Sequence, residues 1–420
     1  MAMEYHCVNK QNPQDLTALN RKRNKRKACM KVIVYFLVVL IFSQCKMSSN
    51  NSGTGDFVEI DISKKYPEKE VYIQDIAKVE YIPLETNSST LMRSSARIVH
   101  VSDNYIIVTN ASDGDVFVFD GNGKSKFSFN HKGKSGTDYN RLYSIAFDEQ
   151  AKEIFIFDRA SAHPKFLVYA EDGEFKRILE SPSNFLPRDV YNFDDNTLLV
   201  YDEYGLSTNK YSNKPYMLIS KKDGSIIDTL DIYLPDRVSN KVYFEVEVNG
   251  QKMTTSLNLN MFNNRSYGKD FLIADWSSDT IYRLTSQKKL QPLIIRKPSV
   301  QNSEPKTVIT NELITDKFIF MGKGTLDFEL AKKANTFPTM SLMYDFETGQ
   351  LSEYKLINRD FESSNVGFYP AITSENTGVM TLVVSRLFEA DEAGKIKGEL
   401  KQVLELLDEE DNPILMKIKF

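Results

Sequence analysis

The side chains that could carry covalent or metal chemistry are few and far apart in this sequence. Beyond the first fifty residues there is no cysteine, and His100, His131 and His163 lie outside the spacing of local metal ligands. No Gly-x-Ser-x-Gly nucleophile motif is present. The acidic stretches at 56–61 and 408–412 lack the alternating oxygen ligands of a calcium loop. We therefore predict no catalytic nucleophile, metal or other cofactor, although a ring-shaped fold could still gather residues that are distant in sequence.

Cys45 is the cysteine with a defined chemical context. It follows an apolar run, Val32 to Phe42, which is preceded by basic residues and followed by small polar ones. A membrane helix needs roughly 20 apolar residues, so this run matches the core of a secretory signal instead. Residues 40–45, LIFSQC, resemble the lipobox of bacterial lipoproteins, in which the cysteine is lipidated and becomes the N-terminus; Gln44 departs from it, since a small residue is usual there. A plain secreted protein and an uncleaved anchor are the alternatives, and the basic stretch could instead be a nuclear or nucleic-acid patch.

Removal of this leader would change the charge balance and the cysteine chemistry. Residues 1–44 hold 8 of the 53 Lys and Arg residues and 2 of the 57 Asp and Glu residues, so the remaining chain has a formal net charge of −10. Nucleic-acid binding needs a basic face, and we expect none. Cys7 and Cys29 leave with the leader, so no disulfide is expected. We predict a leader at 1–44, with the signal peptide at 30–44 if translation starts at Met30 and not Met1, and a lipidated tether at 45–56.

The region from residue 57 to 420 repeats one pattern of four short strands. Between residues 97 and 129 the runs RIVHV, YIIV, DVFVFD and KFSF are separated by Ser, Asp, Asn and Gly, which form turns. The order recurs at 142–179 and 187–232, and looser copies end near Arg296, near Ile357 and at Phe420. A turn pair follows the third strand of four copies, at Asp120-Gly121, Asp172-Gly173, Asp223-Gly224 and Thr348-Gly349.

Four-stranded repeats of about 40 to 50 residues are typical of a β-propeller. We predict an all-β fold, a six-bladed β-propeller of four-stranded antiparallel blades spanning residues 57–420. The sixth copy is one strand short, and the strand at Val79–Leu84 can supply it. Pairing of this N-terminal strand with Ile414–Phe420 would close the ring and leave no open edge. A pair of β-sandwich domains is the alternative.

Long segments interrupt three of the repeats between the second and third strands, at 202–215, 322–339 and 387–411. The last predicts one amphipathic helix inserted in the last blade, because its apolar residues have helical spacing: Ile396, Leu400, Val403, Leu404 and Leu407. In an antiparallel meander these loops emerge on the same side as the blade-to-blade crossings. The inserts and the loop 131–140 should therefore decorate one face.

Four segments carry a resemblance to a known family: VEYIPLET at 79–86, HKGKSGTDYN at 131–140, SDTIYRL at 278–284 and the ending DEEDNPILMKIKF. Nearly all of the mature chain resembles the six-bladed β-propeller lipoproteins common in Bacteroidetes, which are similar in form to NHL-repeat proteins. The family's loop resembles Gly-x-Gly-Pro-Gly-Glu-Tyr. Gly133, Gly136 and Tyr139 fit it, whereas Thr137 and Asp138 replace the Gly-Glu pair and the proline is missing. The resemblance implies a membrane-anchored propeller in the cell envelope, facing the periplasm or the cell surface.

The predicted function is that of a non-enzymatic binding or scaffold module, held at the lipid bilayer through Cys45. Loops on a rigid ring form a recognition surface, and no reactive constellation is visible. The expected partner is a glycan, a small molecule or an envelope protein. The alternative is a propeller enzyme, such as a lactonase, a lyase or a quinoprotein-like dehydrogenase, with groups that converge in the central channel. A structural role in an envelope assembly would need an exposed apolar patch.

The candidate ligand-binding residues lie on crossings and turns of the face that carries the inserts: Tyr139, Arg141, Arg188, Trp276 and Tyr369. Aromatic rings can stack on sugars or other flat ligands, and arginine can bind a carboxylate with two hydrogen bonds. The alternative is that each is a packing or turn residue.

Overall fold

The computed structural model describes residues 57–159, 164–181, 187–202, 214–234, 236–248, 250–259, 261, 264–361, 366–369, 371 and 374–420. Within them the chain forms six β-sheet blades arranged as a β-propeller. The predictions for the leader, for Cys45 and for His163 concern residues outside these ranges. Among the residues described, no helix combines the length and the apolar character needed to cross a membrane.

From residue 57 onwards, three strands and a short helix precede the first blade: β1 (Val58–Asp61), β2 (Glu68–Tyr72), α1 (Ile73–Ile76) and β3 (Lys78–Pro83). The next three sheets are antiparallel meanders in sequence order. Blade 1 contains β4 (Arg97–Val101), β5 (Tyr105–Asn110), β6 (Asp115–Asp120) and β7 (Ser125–Asn130). Blade 2 contains β8 (Ser144–Asp148), β9 (Glu153–Asp158), β10 (Lys165–Ala170) and β11 (Phe175–Glu180). Blade 3 contains β12 (Asp189–Asn192), β13 (Thr197–Tyr201), β14 (Tyr216–Ser220) and β15 (Ile226–Thr229).

Blades 4 and 5 each gain a fifth strand from the N-terminal segment. A hairpin of β16 (Lys241–Val248) and β17 (Gln251–Asn258) precedes them. Blade 4 contains β18 (Asn264–Tyr267), β19 (Asp270–Ile273), β20 (Thr280–Leu284) and β21 (Leu290–Lys297), and a 3₁₀ turn at Val300–Asn302 follows it. Blade 5 contains β22 (Thr307–Ile314), β23 (Phe318–Thr325), α2 (Phe328–Ala334), β24 (Thr339–Asp345) and β25 (Gln350–Ile357). Strand β1 pairs in parallel with β21, and β2 pairs in parallel with β25.

Blade 6 closes the ring as the sequence predicts. It contains β26 (Thr377–Leu382), α3 (Val384–Glu392), α4 (Gly398–Leu404) and β27 (Ile414–Lys419). Strand β27 lies between β26 and β3, and it pairs antiparallel with β3 from Ile414 opposite Pro83 to Lys419 opposite Lys78. The amide of Tyr369 donates to the carbonyl of Val379 over 2.8 Å, so the segment before β26 runs along its inner edge.

The core of the propeller lies between the blades. Among the described residues, one apolar cluster fills each of the interfaces between blades 1 and 2, 2 and 3, 3 and 4, 4 and 5, 5 and 6, and 6 and 1. Strands such as EIFIFD and DVFVFD bury the side chains of both faces, because each blade is covered on both sides. The continuous apolar runs of the sequence, which do not alternate strictly, are a consequence of this packing.

The hairpin turns agree with the predicted glycine pattern at three of four positions. Gly173, Gly224 and Gly349 adopt positive φ, at +90°, +82° and +67°. In blade 1 the positive φ falls on Gly123 instead of Gly121. Gly121 is needed for a different reason, since a Cβ atom there would lie 1.9 Å from the carbonyl oxygen of Asp103.

Two features of the structure differ from the sequence prediction: the helical insert of blade 6 and a hairpin before blade 4. The expected single amphipathic helix is two short helices, α3 and α4, because Gly394 takes a left-handed conformation with φ of +69° and ends the first. Leu400 and Leu404 of α4 are buried as expected, but Ile396 lies before the helix and pairs with Phe361 in an isolated bridge. The hairpin β16–β17 was not predicted.

Candidate ligand-binding site at the channel mouth

The first strands of the blades surround the central channel. Strand β8 contacts both β4 and β12, and β18 contacts β22. Because strands alternate in direction, the starts of these first strands, the blade-to-blade crossings and the second-to-third loops all lie at the same end of the ring. This end, which carries the inserts, is called the insert face below.

A cavity of about 370 Å³ opens at the insert face between blades 1, 2 and 3. We call it the arginine cavity, since Arg97, Arg141 and Arg188 line it from three different blades. Arg97 opens β4, and the other two lie on the crossings before β8 and β12. Among the described residues its one lining carboxylate is Asp189, whose Oδ2 lies 3.7 Å from Nε of Arg188. The cavity therefore has an excess of positive charge.

A second cavity of about 520 Å³ adjoins the first, and Tyr143 and Arg188 line both. We call it the tyrosine cavity. Its other lining residues include two cations and three aromatic side chains: Arg237, Lys241, Tyr201, Tyr243 and Trp276. Tyr243 and Lys241 come from the hairpin β16–β17, so the unpredicted hairpin forms part of the cavity wall. No carboxylate lines this cavity among the residues described.

Trp276 lines the tyrosine cavity with only a small part of its side chain, 3%, exposed. Its side chain is buried, packed in the apolar cluster beneath the inserts. The guanidinium carbon of Arg188 lies 5.3 Å from the ring centroid, within range of a cation–π interaction. Because Trp276 lines the tyrosine cavity, its role as a stacking anchor stays a prediction that ligand binding must test.

Tyr139 is held in the core and lines none of the three cavities described here. Its side chain is completely buried; its hydroxyl accepts from the amide of His131 over 2.9 Å and donates to the carbonyl of Gly114 over 2.5 Å. Burial raises the pKa of Tyr139 to about 12. The hydroxyl ties the loop 131–140 to the second-to-third loop of blade 1, and no part of it can reach a ligand.

Tyr369 lies in a third cavity, of about 300 Å³, between blades 4, 5 and 6. It is 40% exposed, and its hydroxyl accepts from that of Thr381 over 3.3 Å. Four apolar or small residues line the same cavity, together with Arg265, Thr310 and Glu312: Met261, Gly367, Phe368 and Met380. We call it the Arg265 cavity. The structure therefore places Arg141 and Arg188 together, with Trp276 in the adjoining cavity, and Tyr369 in a separate cavity.

The Arg265 cavity contains ionisable groups with shifted pKa values. Burial lowers the pKa of Arg265 to about 10. Burial raises the pKa of Glu312. Two weaker effects lower it: a hydrogen bond of 2.9 Å donated by the Tyr354 hydroxyl, and the positive charge of Arg265. Arg265 remains a cation at neutral pH, whereas Glu312 is held closer to its neutral form than an exposed glutamate.

Sequence reasoning missed Arg97, Arg237, Arg265 and Glu312. A signal for Arg97 was available in the sequence. The first strands of blades 1 to 4 each begin with a polar residue, and all four of these residues line the arginine cavity: Arg97, Ser144, Asp189 and Asn264. Superposition of the repeats would have identified this position. Glu312 could not be found in this way, because it is the extra residue of a bulge in β22, between Asn311 opposite Met321 and Leu313 opposite Phe320. Within the described part of the chain, no group of three or more His, Cys, Asp and Glu side chains could hold a metal ion.

One family and two solved structures are similar to this chain, and the first of the structures supports the fold. The family described as Domain of unknown function (DUF4934) matches residues 57–419. A Bacteroides fragilis protein described as exported has a solved structure with a TM-score of 0.57 at 16% identity, covering 87% of this chain and 99% of that chain. A DUF4221 family member from Bacteroides vulgatus has a TM-score of 0.41 at 9% identity, covering 68% of this chain and 90% of that chain. No curated protein matches this sequence.

Proposed function

The chain belongs to the family described as Domain of unknown function (DUF4934), and on that premise we propose that it is a non-enzymatic binding module that captures an anionic ligand at the insert face. The observation that carries the proposal is the charge of two adjoining cavities. Five cations line them: Arg97, Arg141, Arg188, Arg237 and Lys241. Asp189 is the one lining carboxylate among the described residues, and Arg237 also pairs with the buried Asp275, 3.9 Å away, so the lining keeps an excess of positive charge.

This local charge is opposite to that of the whole protein. The chain carries a formal net charge of −4, so a random sample of its surface would not be cationic. A concave site with charges of one sign focuses its field and attracts ligands of the opposite sign. Arginine suits carboxylate and sulfate groups in particular, because its planar fork can donate two parallel hydrogen bonds.

The aromatic lining narrows the class of ligand. Tyr143 and Tyr243 lie among the cations with part of each side chain exposed, and both cavities fall in the size range of small-molecule sites, about 300–1,000 Å³. Sugar rings pack on aromatic faces while their acidic groups pair with arginine. An acidic oligosaccharide fits this combination better than a neutral one.

Calorimetric titration with matched acidic and neutral oligosaccharides tests the proposal. Trigalacturonate and maltotriose form such a pair, and we expect the acidic member to bind more tightly, with an affinity that falls as salt rises. Arg141→Ala and Arg188→Ala should each weaken binding by about 10- to 100-fold, the effect of losing a charge-assisted hydrogen bond. Arg386→Ala, at an exposed arginine of α3, is the control and should bind as the wild type does. Equal binding of the two sugars, or full binding by both cavity variants, would contradict the proposal.

The proposed location is the cell envelope, with lipid on Cys45 as the anchor. Support comes from the apolar run before Cys45 and the lipobox-like LIFSQC at 40–45. We expect the wild type to incorporate labelled palmitate and to partition into detergent, and Cys45→Ala to do neither. Wild-type protein that associates with membranes but incorporates no labelled palmitate would refute lipidation.

One observation favours the enzymatic alternative. Glu312 is a carboxyl group beside the channel whose pKa burial raises, a property that general acids share. Its hydrogen bond from Tyr354 also suits a structural role. Binding is therefore the function that we propose, and turnover of a bound oligosaccharide that Glu312→Gln abolishes would favour the enzyme instead.

A further inference from the structure

The Arg265 cavity differs in chemistry from the two cavities assigned above. Blades 4, 5 and 6 form it, and Met261 is the one residue that it shares with the tyrosine cavity. Most of its wall is apolar, with the side chains of Met261, Phe368 and Met380. Its volume of about 300 Å³ suits one small molecule.

Arg265 is a buried cation with unused hydrogen-bonding capacity. Its side chain is 4% exposed, and in the part of the chain that the structure describes, no group accepts a hydrogen bond from its Nε. Nη2 has a long contact, 3.5 Å, with the carbonyl of Phe368. A buried charge without a full set of partners is costly, so a group that completes the set would bind favourably.

Glu312 does not complete that set. No ion pair within 4.0 Å joins it to Arg265 among the described residues, although both line the cavity and the charge of each shifts the pKa of the other. One of its oxygens already accepts from Tyr354, and burial raises its pKa. Glu312 therefore leaves the Nε donor of Arg265 without an acceptor among the described residues.

Thr310 adds a second polar group without a partner. Its side chain is 1% exposed, and its hydroxyl has no hydrogen-bond partner in the described residues. A guanidinium and a hydroxyl beside apolar walls can recognise one small anionic group that is attached to an apolar body. A dianion such as phosphate would bring more charge into this site than one arginine can balance.

We propose that the Arg265 cavity is a second binding site, separate from the acidic-oligosaccharide site, and that it takes a small monocarboxylate with an apolar body. The carboxylate accepts from Arg265 and Thr310, and the apolar body lies against Met261, Phe368 and Met380.

Hexanoate is the probe that tests this site. Hexanol, which has the apolar body without the charge, and inorganic phosphate, which has charge without an apolar body, are the controls. Titration is followed by calorimetry on the purified protein. A ligand of this size is expected to have a Kd of about 0.1–1 mM. Arg265→Met should reduce the affinity for hexanoate by about 10- to 100-fold, because it removes a charge-assisted interaction but keeps the apolar volume.

A second variant blocks the cavity without removing the charge. Gly367 lines the cavity, and a Cβ atom there would meet no heavy atom within 4 Å, so Gly367→Leu adds apolar volume at the cavity wall from a position where the first side-chain atom has room. It should abolish hexanoate binding and leave the unfolding midpoint unchanged. Arg141→Met, in the arginine cavity, is the matched control and should bind hexanoate normally.

Binding of hexanoate, but not of hexanol or phosphate, with loss in Arg265→Met and Gly367→Leu, would establish the site. Three results would overturn it: no binding of hexanoate by the wild type, undiminished binding by Gly367→Leu, or equal loss in Arg141→Met. The last would assign hexanoate to the cation-lined cavities. Trigalacturonate binding that survives in Gly367→Leu keeps the two proposals independent.

Discussion

Closure of the ring by β3 and β27 predicts that a small change in the last strand destabilises the whole propeller. Ile418 of β27 lies opposite Val79 of β3, and its side chain is completely buried in the interface between blades 5 and 6. The variant Ile418→Ala removes apolar contacts on a strand that joins the two ends of the chain.

The expected loss of stability is large for one residue. Truncation of a fully buried isoleucine to alanine lowers the free energy of unfolding by about 2–5 kcal/mol, through lost burial and the cavity left behind. Domains are typically stable by about 5–15 kcal/mol, so the variant should lose a substantial fraction of the total. The neighbouring variant Lys419→Ala is the control. Its ion pair with Glu80, 3.2 Å long, is at the surface and contributes about 0–1 kcal/mol.

Urea denaturation followed by two probes is the assay. Far-UV circular dichroism reports on all blades, and the fluorescence of Trp276, the one tryptophan, reports on blade 4, away from the closing strands. In a closed ring both transitions should shift together to lower urea in Ile418→Ala. A loss below about 1 kcal/mol would refute tight packing of the closure, given the size expected for a buried isoleucine. If the Trp276 fluorescence of Ile418→Ala changed at the same urea concentration as in the wild type, while circular dichroism was lost at lower urea, the blades would unfold independently.

Two further predictions concern residues away from the cavities. Tyr139→Phe leaves the amide of His131 and the carbonyl of Gly114 without their partner, so it should lower the free energy of unfolding by about 1–3 kcal/mol. Trigalacturonate should bind it as well as the wild type; weakened binding at unchanged stability would return Tyr139 to the ligand site. Glu149 has its pKa lowered to about 2, chiefly by the hydrogen bond with Nε2 of His100, 3.0 Å away. A lowered pKa stabilises the fold above the usual value of 4.5, and this contribution is lost as pH falls from 4.5 towards 2. Solvent screening reduces the contribution of this carboxylate to the free energy of unfolding. Glu149→Gln should therefore be about 1–2 kcal/mol less stable than the wild type at pH 7 and equal to it near pH 2. A difference that is constant across this range in urea titrations would contradict the assignment.

The fold could be predicted because its features are local and repeated. Short strands, turn pairs and the missing strand of the sixth copy are visible in the linear sequence, and they identify both the ring and its closure at Val79–Leu84. The helix insert was predicted less well, because apolar spacing does not reveal that Gly394 interrupts the helix. The hairpin β16–β17 was missed although the sequence marks it, since Val and Phe alternate with Tyr and Glu over 242–248 and an Asn-Gly pair follows at 249–250.

The site depends on distances that no local pattern contains. Arg141 and Arg188 could be chosen because they lie on crossings that the ring brings together. Tyr139 lies on such a crossing too, and only the structure shows that its ring points into the core. Arg265 and Glu312 come from neighbouring blades, and the bulge that positions Glu312 depends on how β22 pairs with β23.

The most direct test of the central claim is a crystal structure of the protein with trigalacturonate bound. The account predicts that difference density for the sugar lies in the arginine and tyrosine cavities, with a carboxylate paired to Arg141 or Arg188. Density on the opposite face, beside His100 and Glu149, would contradict it. So would empty cavities in crystals grown at a sugar concentration that saturates binding in solution.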